Sequence, residues 1–380
     1  MANVFSGIAE KMRRAPRWIY VVAALALAII FPLLEQAGLM ETLWLRLGTR
    51  TLVYVLLALG LNLVLGETGL LHLGYVAFFA VGSYTTAILS SPRLGYHWNF
   101  WAIIGLAVAL SALFGFIVGF PTLRLRGDYL AIVTLAFGEI TRITFNNWES
   151  VTNGPGGIPG IYPPNIFGWV ADEPIEFYYL LLIAVILVVI VLTNIKNSRI
   201  GRAWNALRED EIAANHAGVH STSSKMLAVV ISSGIAGLAG AIFAYYQQFI
   251  NPTYFLFMQS VIVVCMVVLG GMGSIPGAIA GAVVLDMTPE VIRQAFTSWL
   301  PDALGSNFLP GVQTALQTDF DRYRMLLFGV IIIVMVIFRP EGLIPNALWR
   351  REVHEEDPRE ADHTRQHLFD FEEGHKDLEV

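Results

Sequence analysis

A chain of 380 residues that is 55% hydrophobic and only 14% charged, with a mean hydropathy of +0.60, is far more apolar than a soluble domain, in which about a quarter of the residues carry charge. That excludes an ordinary soluble enzyme, and continuous apolar runs without ten-residue alternation exclude an outer-membrane β-barrel. The formal charge of −6 belongs to residues 352–380, where eleven acidic residues face three basic ones; that balance of −8 leaves +2 for residues 1–351.

Lys11, Arg13, Arg14 and Arg17 precede the first uncharged run, 18–34. A basic stretch before an apolar run is also the pattern of a cleaved signal peptide, but a multispan chain needs only an uncleaved first helix. Further uncharged runs follow at 51–66, 68–92, 94–123, 177–195, 226–285 and 325–338, with a less apolar stretch at 128–145. A spanning helix needs about 20 residues. The run 226–285 is therefore too long for one helix, and Asn251-Pro252 and the stretch from Gly270 to Gly277 divide it into three. At 325–338 the flanking Arg324 and Arg339 can snorkel to the headgroups. The expectation is an all-α polytopic membrane protein of about ten transmembrane helices with interrupted Gly-rich segments.

Lys and Arg in short loops are retained on the cytoplasmic side. The N-terminal cluster, Arg124 and Arg126, the segment Lys196 to Arg208, and Arg339, Arg350 and Arg351 all fall on one side if ten spans alternate. Residues 143–195 contain no Lys or Arg and carry Asp172, Glu173 and Glu176, as an outside loop should. Arg46 and Arg50 are exceptions. Both termini are predicted cytoplasmic, with an N-terminal segment 1–17, a membrane domain 18–351 and an acidic tail 352–380 whose composition predicts disorder.

Glycines cluster at 66, 69, 74 and 82, at 234, 237 and 240, and at 270, 271, 273, 277 and 281. Small residues allow close helix packing. Alternatively, Gly66-Glu67-Thr68-Gly69 and Gly270 to Gly277 interrupt helices along a pathway, and their places in the two halves hint at a repeat. Asn62, Gly66, Gly69, Asp128, Thr134, Glu139, Gly270, Gly271 and Gly273 are the candidate pathway residues. Intramembrane ionisable groups are costly and informative. Asp128, Glu139 and Arg142 fall in the fifth span, and Asp286 ends or interrupts the ninth. Glu139 and Arg142 share a helix face, as a structural pair or as part of a pathway. His72 in the third span reads as a packed polar residue. No second His or Cys stands at coordinating spacing, so no metal site is expected. The single Cys265 permits no intramolecular disulfide.

The turn-rich stretch 151–160, with Asn153, Gly154, Pro155, Gly156 and Gly157, is a connector or a docking loop presenting backbone amides to a partner. Within the loop 197–220, residues 203–218 read as one short cytoplasmic helix. Ala203, Leu207, Ala214 and Ala217 form a small-residue stripe, Arg202, Arg208, Glu209 and Glu211 face elsewhere, and Gly218 supplies the stop. It is either a solvated helix or one seated in a groove of another protein. No Lys follows a Gly, so the G-x-x-x-x-G-K-[ST] phosphate cradle is absent and any ATP-driven step needs a partner.

Leu61 to Gly69 with Gly74-Tyr75-Val76-Ala77-Phe78-Phe79, Leu125 to Leu135, and Thr152 to Ile158 closely resemble the LivM-type permease subunits of branched-chain amino-acid ABC importers. Glu211-Ile212-Ala213-Ala214 through Gly218, Leu269 to Ser274 and Phe338 to Leu343 resemble the coupling loop and closing motifs of the same family. The resemblance covers about residues 50–345. It implies a permease in the bacterial cytoplasmic membrane, paired with a second permease subunit, two ABC ATPase subunits that hold ATP and Mg, and a periplasmic or extracellular substrate-binding protein. No directly bound cofactor and no nucleic acid are implied. By this resemblance the 203–218 helix docks on an ATPase subunit, the 151–160 loop lies near the binding protein, and the cargo is leucine, isoleucine or valine. Urea is the alternative cargo, and a proton-coupled secondary transporter using Asp128 or Glu139 is the alternative mechanism. The tail and the stretch 296–322 depart from the family pattern.

Overall fold

A computed structural model describes residues 17–38, 41–92, 98–123, 125, 127–166, 168–295, 320–339 and 341–344. Lys11, Arg13, Arg14, Arg124, Arg126, Arg350 and Arg351, on which part of the expected orientation rests, lie outside these residues. So do 296–319 and the tail 352–380.

The helices in chain order are α1 (Arg17–Gln36), α2 (Thr42–Thr68), α3 (Val76–Ser90), α4 (Phe100–Thr122), α5 (Asp128–Asn147), α6 (Glu149–Thr152), α7 (Pro174–Lys196), α8 (Arg199–Glu209), α9 (Glu211–His216), α10 (Ser221–Gln247), α11 (Phe257–Gly270), α12 (Ile275–Gln294) and α13 (Phe320–Phe338). Two antiparallel two-residue pairs complete the described chain: β1 (Ile158–Pro159) with β4 (Phe249–Ile250), and β2 (Asn165–Ile166) with β3 (Trp169–Val170). The protein is a helical, multi-pass membrane protein. Among the described residues five helices, α2, α4, α7, α10 and α12, are long and apolar enough to cross a bilayer individually. The expected ten crossings include α3 and α11, of 15 and 14 residues. At 1.5 Å per residue these reach only about 20 Å, short of a hydrocarbon core of about 30 Å.

Local chemistry sets the helix ends. Pro174 opens α7 behind a capping box between Glu173 and Glu176. Asn99 caps α4 by accepting from Trp101 N at 3.2 Å. Gly69, in the left-handed region at φ 70°, closes α2 by donating its N–H to Val64 O. As the Pro and Gly positions predict, 226–285 divides into α10, α11 and α12.

α10 lies at the centre, packed on α2, α3 and α4. Its glycines permit the approach: a Cβ on Gly82 of α3 would sit 2.3 Å from Gly237 O. α2 is buried along most of its length.

Three expectations from charge placement are corrected. Arg50 does not flank a span: it lies inside α2, with Nη2 2.9 Å from Asp286 Oδ1 of α12. Thr51 donates to Asp286 Oδ2 at 2.6 Å. Asp286 therefore neither ends nor interrupts its helix, because α2 neutralises it and α12 continues to Gln294. His72 lies in the irregular connector before α3, not in a helix.

Candidate functional site

The sequence candidates converge at the end of the bundle where α2 and α7 terminate. Lys196, in the last turn of α7, places Nζ 2.6 Å from Glu67 Oε1 of α2 and also donates to the carbonyl of Gly273. Asn62, one turn and a half before Glu67, accepts from Gly273 N at 2.9 Å. Gly66 fits only as glycine, since a Cβ there would meet Gly273 N at 2.3 Å. The chain between α11 and α12 is thus held by α2 through the N–H of Gly273 and by α7 through its carbonyl. Leu343 and Ile344 add to it from the other side, donating to Leu269 O and Gly270 O at 2.9 Å each. Gly271, at φ 113°, lies directly against Gly342, where a Cβ would come within 2.4 Å of Gly271 Cα.

The loop helices join this cluster. The 203–218 stretch is not one helix. Asp210, extended at φ −150°, divides α8 from α9 and caps α9 by accepting from Ile212 N at 2.8 Å and Ala213 N at 3.0 Å. Ser198 caps α8, and Gly218, at φ 90°, forms the turn after α9. Trp204 is fully buried, its indole N–H donating to Ser224 O at 2.8 Å, and so fixes α8 to α10. Arg208 donates to Gly66 O, which ties α8 to the same turn of α2 that Lys196 holds. Glu211 Oε2 lies 2.8 Å from Lys225 Nζ, and Ser221 donates to its other oxygen.

The loop residues therefore divide into two sets. Leu207 and Ala214 are buried and Ala203 half-buried against the chain itself, so these three members of the small-residue stripe face inward, whereas the fourth, Ala217, is exposed. Burying Leu207 and Trp204 on the bundle is what turns the three inward. Arg208 and Glu211 serve internal bonds. Arg202, Glu209 and Gly218 are exposed, together with Ala213, His216 and Ala217 and with Ile212 at 69%. Sequence reasoning missed Lys196, Trp204 and Ile212 as site residues; an isolated cation closing an apolar helix was the one available signal.

The remaining pathway candidates lie elsewhere. Thr134 is fully buried in the middle of α5, its hydroxyl accepting from Leu73 N at 3.1 Å. The connector 69–75 turns back into the bundle from the end of α2, so that Tyr75 OH, beside Gly60, donates to Ser232 O at 3.0 Å and Val76 N donates to Ser260 Oγ at 3.2 Å. Irregular backbone at this depth is tolerated because protein satisfies it. Among the described residues, neither ring nitrogen of the buried His72 has a hydrogen-bond partner. Asp128 is exposed as the first residue of α5, where a carboxylate favours the helix dipole. Glu139 and Arg142 pair on α5, Nε to Oε1 at 3.0 Å.

At the opposite end, the 151–160 segment is ordered by its own bonds. Thr152 donates to Phe145 O and Trp148 O, Asn153 to Gly157 O at 2.7 Å, and Asn251 to Pro155 O at 2.8 Å. Gly157 and Gly154 are buried, and Asn153 is half-buried. Pro155 and Gly156 are exposed, next to the β1–β4 pair. No group of three or more His, Cys, Asp or Glu able to hold a metal occurs among the described residues.

Residues 43–336 match the family described as branched-chain amino acid transport system / permease component. The high-affinity branched-chain amino acid transport system permease protein LivM of Salmonella typhimurium is 39% identical over 350 residues, covering 86% of this chain and 75% of that one. The probable LivM of Methanocaldococcus jannaschii is 27% identical over 284 residues, 70% of this chain and 74% of its own. The permease protein LivH of Escherichia coli K12 is 27% identical over 261 residues, 64% of this chain and 83% of its own. No solved structure matches.

Proposed function

The chain belongs to the branched-chain amino acid transport permease family, and on that premise we propose how it works as the LivM-type, membrane-spanning subunit of an importer for leucine, isoleucine and valine. It is a transport subunit and not itself an enzyme. A LivH-type second permease shares the translocation pathway, in keeping with the similarity of this chain to both subunit types. Two ATPase subunits carry ATP and Mg, and an external binding protein delivers the amino acid. The assembly sits in the bacterial cytoplasmic membrane with α8 and α9 inside the cell and the 151–160 loop outside.

The observation that carries this reading is the joint attachment of the loop helices and the glycine-rich turn to one end of α2. Arg208 holds Gly66 O, while Lys196 and Asn62 hold Gly273. A displacement of α8 by a closing ATPase pair reaches α2, α7 and the α11–α12 turn together. Tightly packed spans have a few discrete arrangements, so a small push selects between outward- and inward-open forms. The exposed Ile212, with Ala213 and Ala217 beside it, is the apolar surface that the ATPase covers.

Uptake of labelled leucine and of labelled urea into cells expressing the full subunit set tests the cargo. Saturable leucine uptake supports the reading, and urea uptake without leucine uptake overturns it.

A further inference from the structure

α5 presents two unlike faces. Leu130, Ala131, Thr134 and Thr141 are buried against the bundle, and Gly138 packs on Gly74. On the other side Ile132, Ala136, Ile140 and Ile143 form an exposed stripe at helical spacing. Beside that stripe stand Glu139 and Arg142, their side chains 38% and 23% exposed. Glu139 is near the middle of a 20-residue helix whose buried face lies at the depth of the α3 N-terminus. A carboxylate and a guanidinium open to hydrocarbon at that depth are expensive, and such residues face a protein partner or a water-filled path.

The pair is only half used. Arg142 Nε and Nη2 both donate to Glu139 Oε1. Among the described residues nothing engages Glu139 Oε2 or Arg142 Nη1. An amino-acid zwitterion carries the complementary charges on two groups attached to the same carbon.

We propose that Glu139 and Arg142 form a transient head-group site for the amino-acid zwitterion in the translocation pathway, the substrate ammonium on Glu139 Oε2 and its carboxylate on Arg142 Nη1. The aliphatic side chain lies along Ile140 and Ile143, and the second permease supplies the opposite wall. This rests on the importer reading above and names the substrate-contacting residues within it. When the site is empty the two charges neutralise each other, so no naked ion is left in the membrane. When it is occupied the substrate shares charges that are already paired, which keeps the site weak enough to release its ligand.

The test uses the assembled importer in proteoliposomes, with Cys265→Ser as background. Glu139→Cys, Ala136→Cys and Ile143→Cys are exposed to a charged thiol reagent, with Ile183→Cys on the exposed face of α7 as the lipid-facing reference. The expected result is modification of the α5 cysteines several-fold faster than Ile183→Cys in at least one nucleotide state. Arg142→Gln and Glu139→Gln should each lower leucine uptake about tenfold or more, the scale of a lost charge-assisted hydrogen bond, while the complex still assembles. If the unmodified complex imports leucine but the α5 cysteines react no faster than Ile183→Cys, the site is overturned and the importer reading stands. If both Gln variants import at the unmodified rate, the site is again overturned. An unmodified complex that imports no branched-chain amino acid overturns both.

Discussion

Lys196 Nζ stands 2.6 Å from Glu67 Oε1, joining the last turn of α7 to the last turn of α2 beneath the loop helices. Glu67 is almost wholly buried there, with 6% of its side chain exposed, and Lys196 has 27%. Removing one partner of such a pair strands the other charge, at a cost of about 3–5 kcal/mol. Lys196→Met should accordingly lower the thermal midpoint of the detergent-solubilised protein. The double variant Glu67→Gln/Lys196→Met should recover much of that loss, because no unpaired ion remains. An unchanged midpoint in the single variant would show that the pair is not formed in the folded protein.

Gly66 tests the contact between α2 and the α11–α12 turn. Gly66→Ala places a methyl group against the backbone of Gly273, and neither backbone can retreat without breaking the Asn62 bond. Overpacking of this kind costs about 1–3 kcal/mol. A reduced midpoint with leucine uptake lost is the expected pair of results. Gly105→Ala, whose added Cβ meets nothing within 4 Å, is the control and should change neither.

The docking face can be separated from the internal bonds of the loop. Ile212→Asp alters an exposed side chain and should leave stability within about 0.5 kcal/mol of the original. ATPase subunits should no longer copurify with the permease. Glu211→Lys instead sets two cations together at Lys225 and should loosen α9 itself, visible as faster amide exchange in 211–217. Retained copurification with Ile212→Asp would remove the docking assignment.

The Arg50–Asp286 pair gives a prediction outside the loop region. Asp286→Asn leaves Arg50 without its counter-ion and Thr51 with a weaker acceptor, a loss of about 3 kcal/mol or more. Chemical denaturation should show it. Arg46→Gln, one turn earlier and outside this pair, is the comparison variant.

What the sequence reveals here follows from the range of each interaction. The division of 226–285 at Asn251-Pro252 and at the 270–277 glycines is local chemistry, and so is the turn at Gly218; all three are visible in the chain. The bundle supplies what local pattern cannot. Asp286 looks like a helix breaker until Arg50, 236 residues away, is found beside it. The stripe of Ala203, Leu207, Ala214 and Ala217 looks like one continuous surface until Trp204 and Leu207 turn all of it but Ala217 inward. Among the candidate pathway residues, Asn62, Gly66, Gly270, Gly271 and Gly273 do meet, around a lysine that hydropathy alone treats as a mere boundary.

The central claim is that this chain is a gate driven by separate ATPases. Concentrative uptake of labelled leucine into proteoliposomes, measured with the permease pair alone and again with the ATPases, binding protein and ATP, tests it most directly. Accumulation only in the complete set is the predicted result. Accumulation by the permease chain without ATPases contradicts the account.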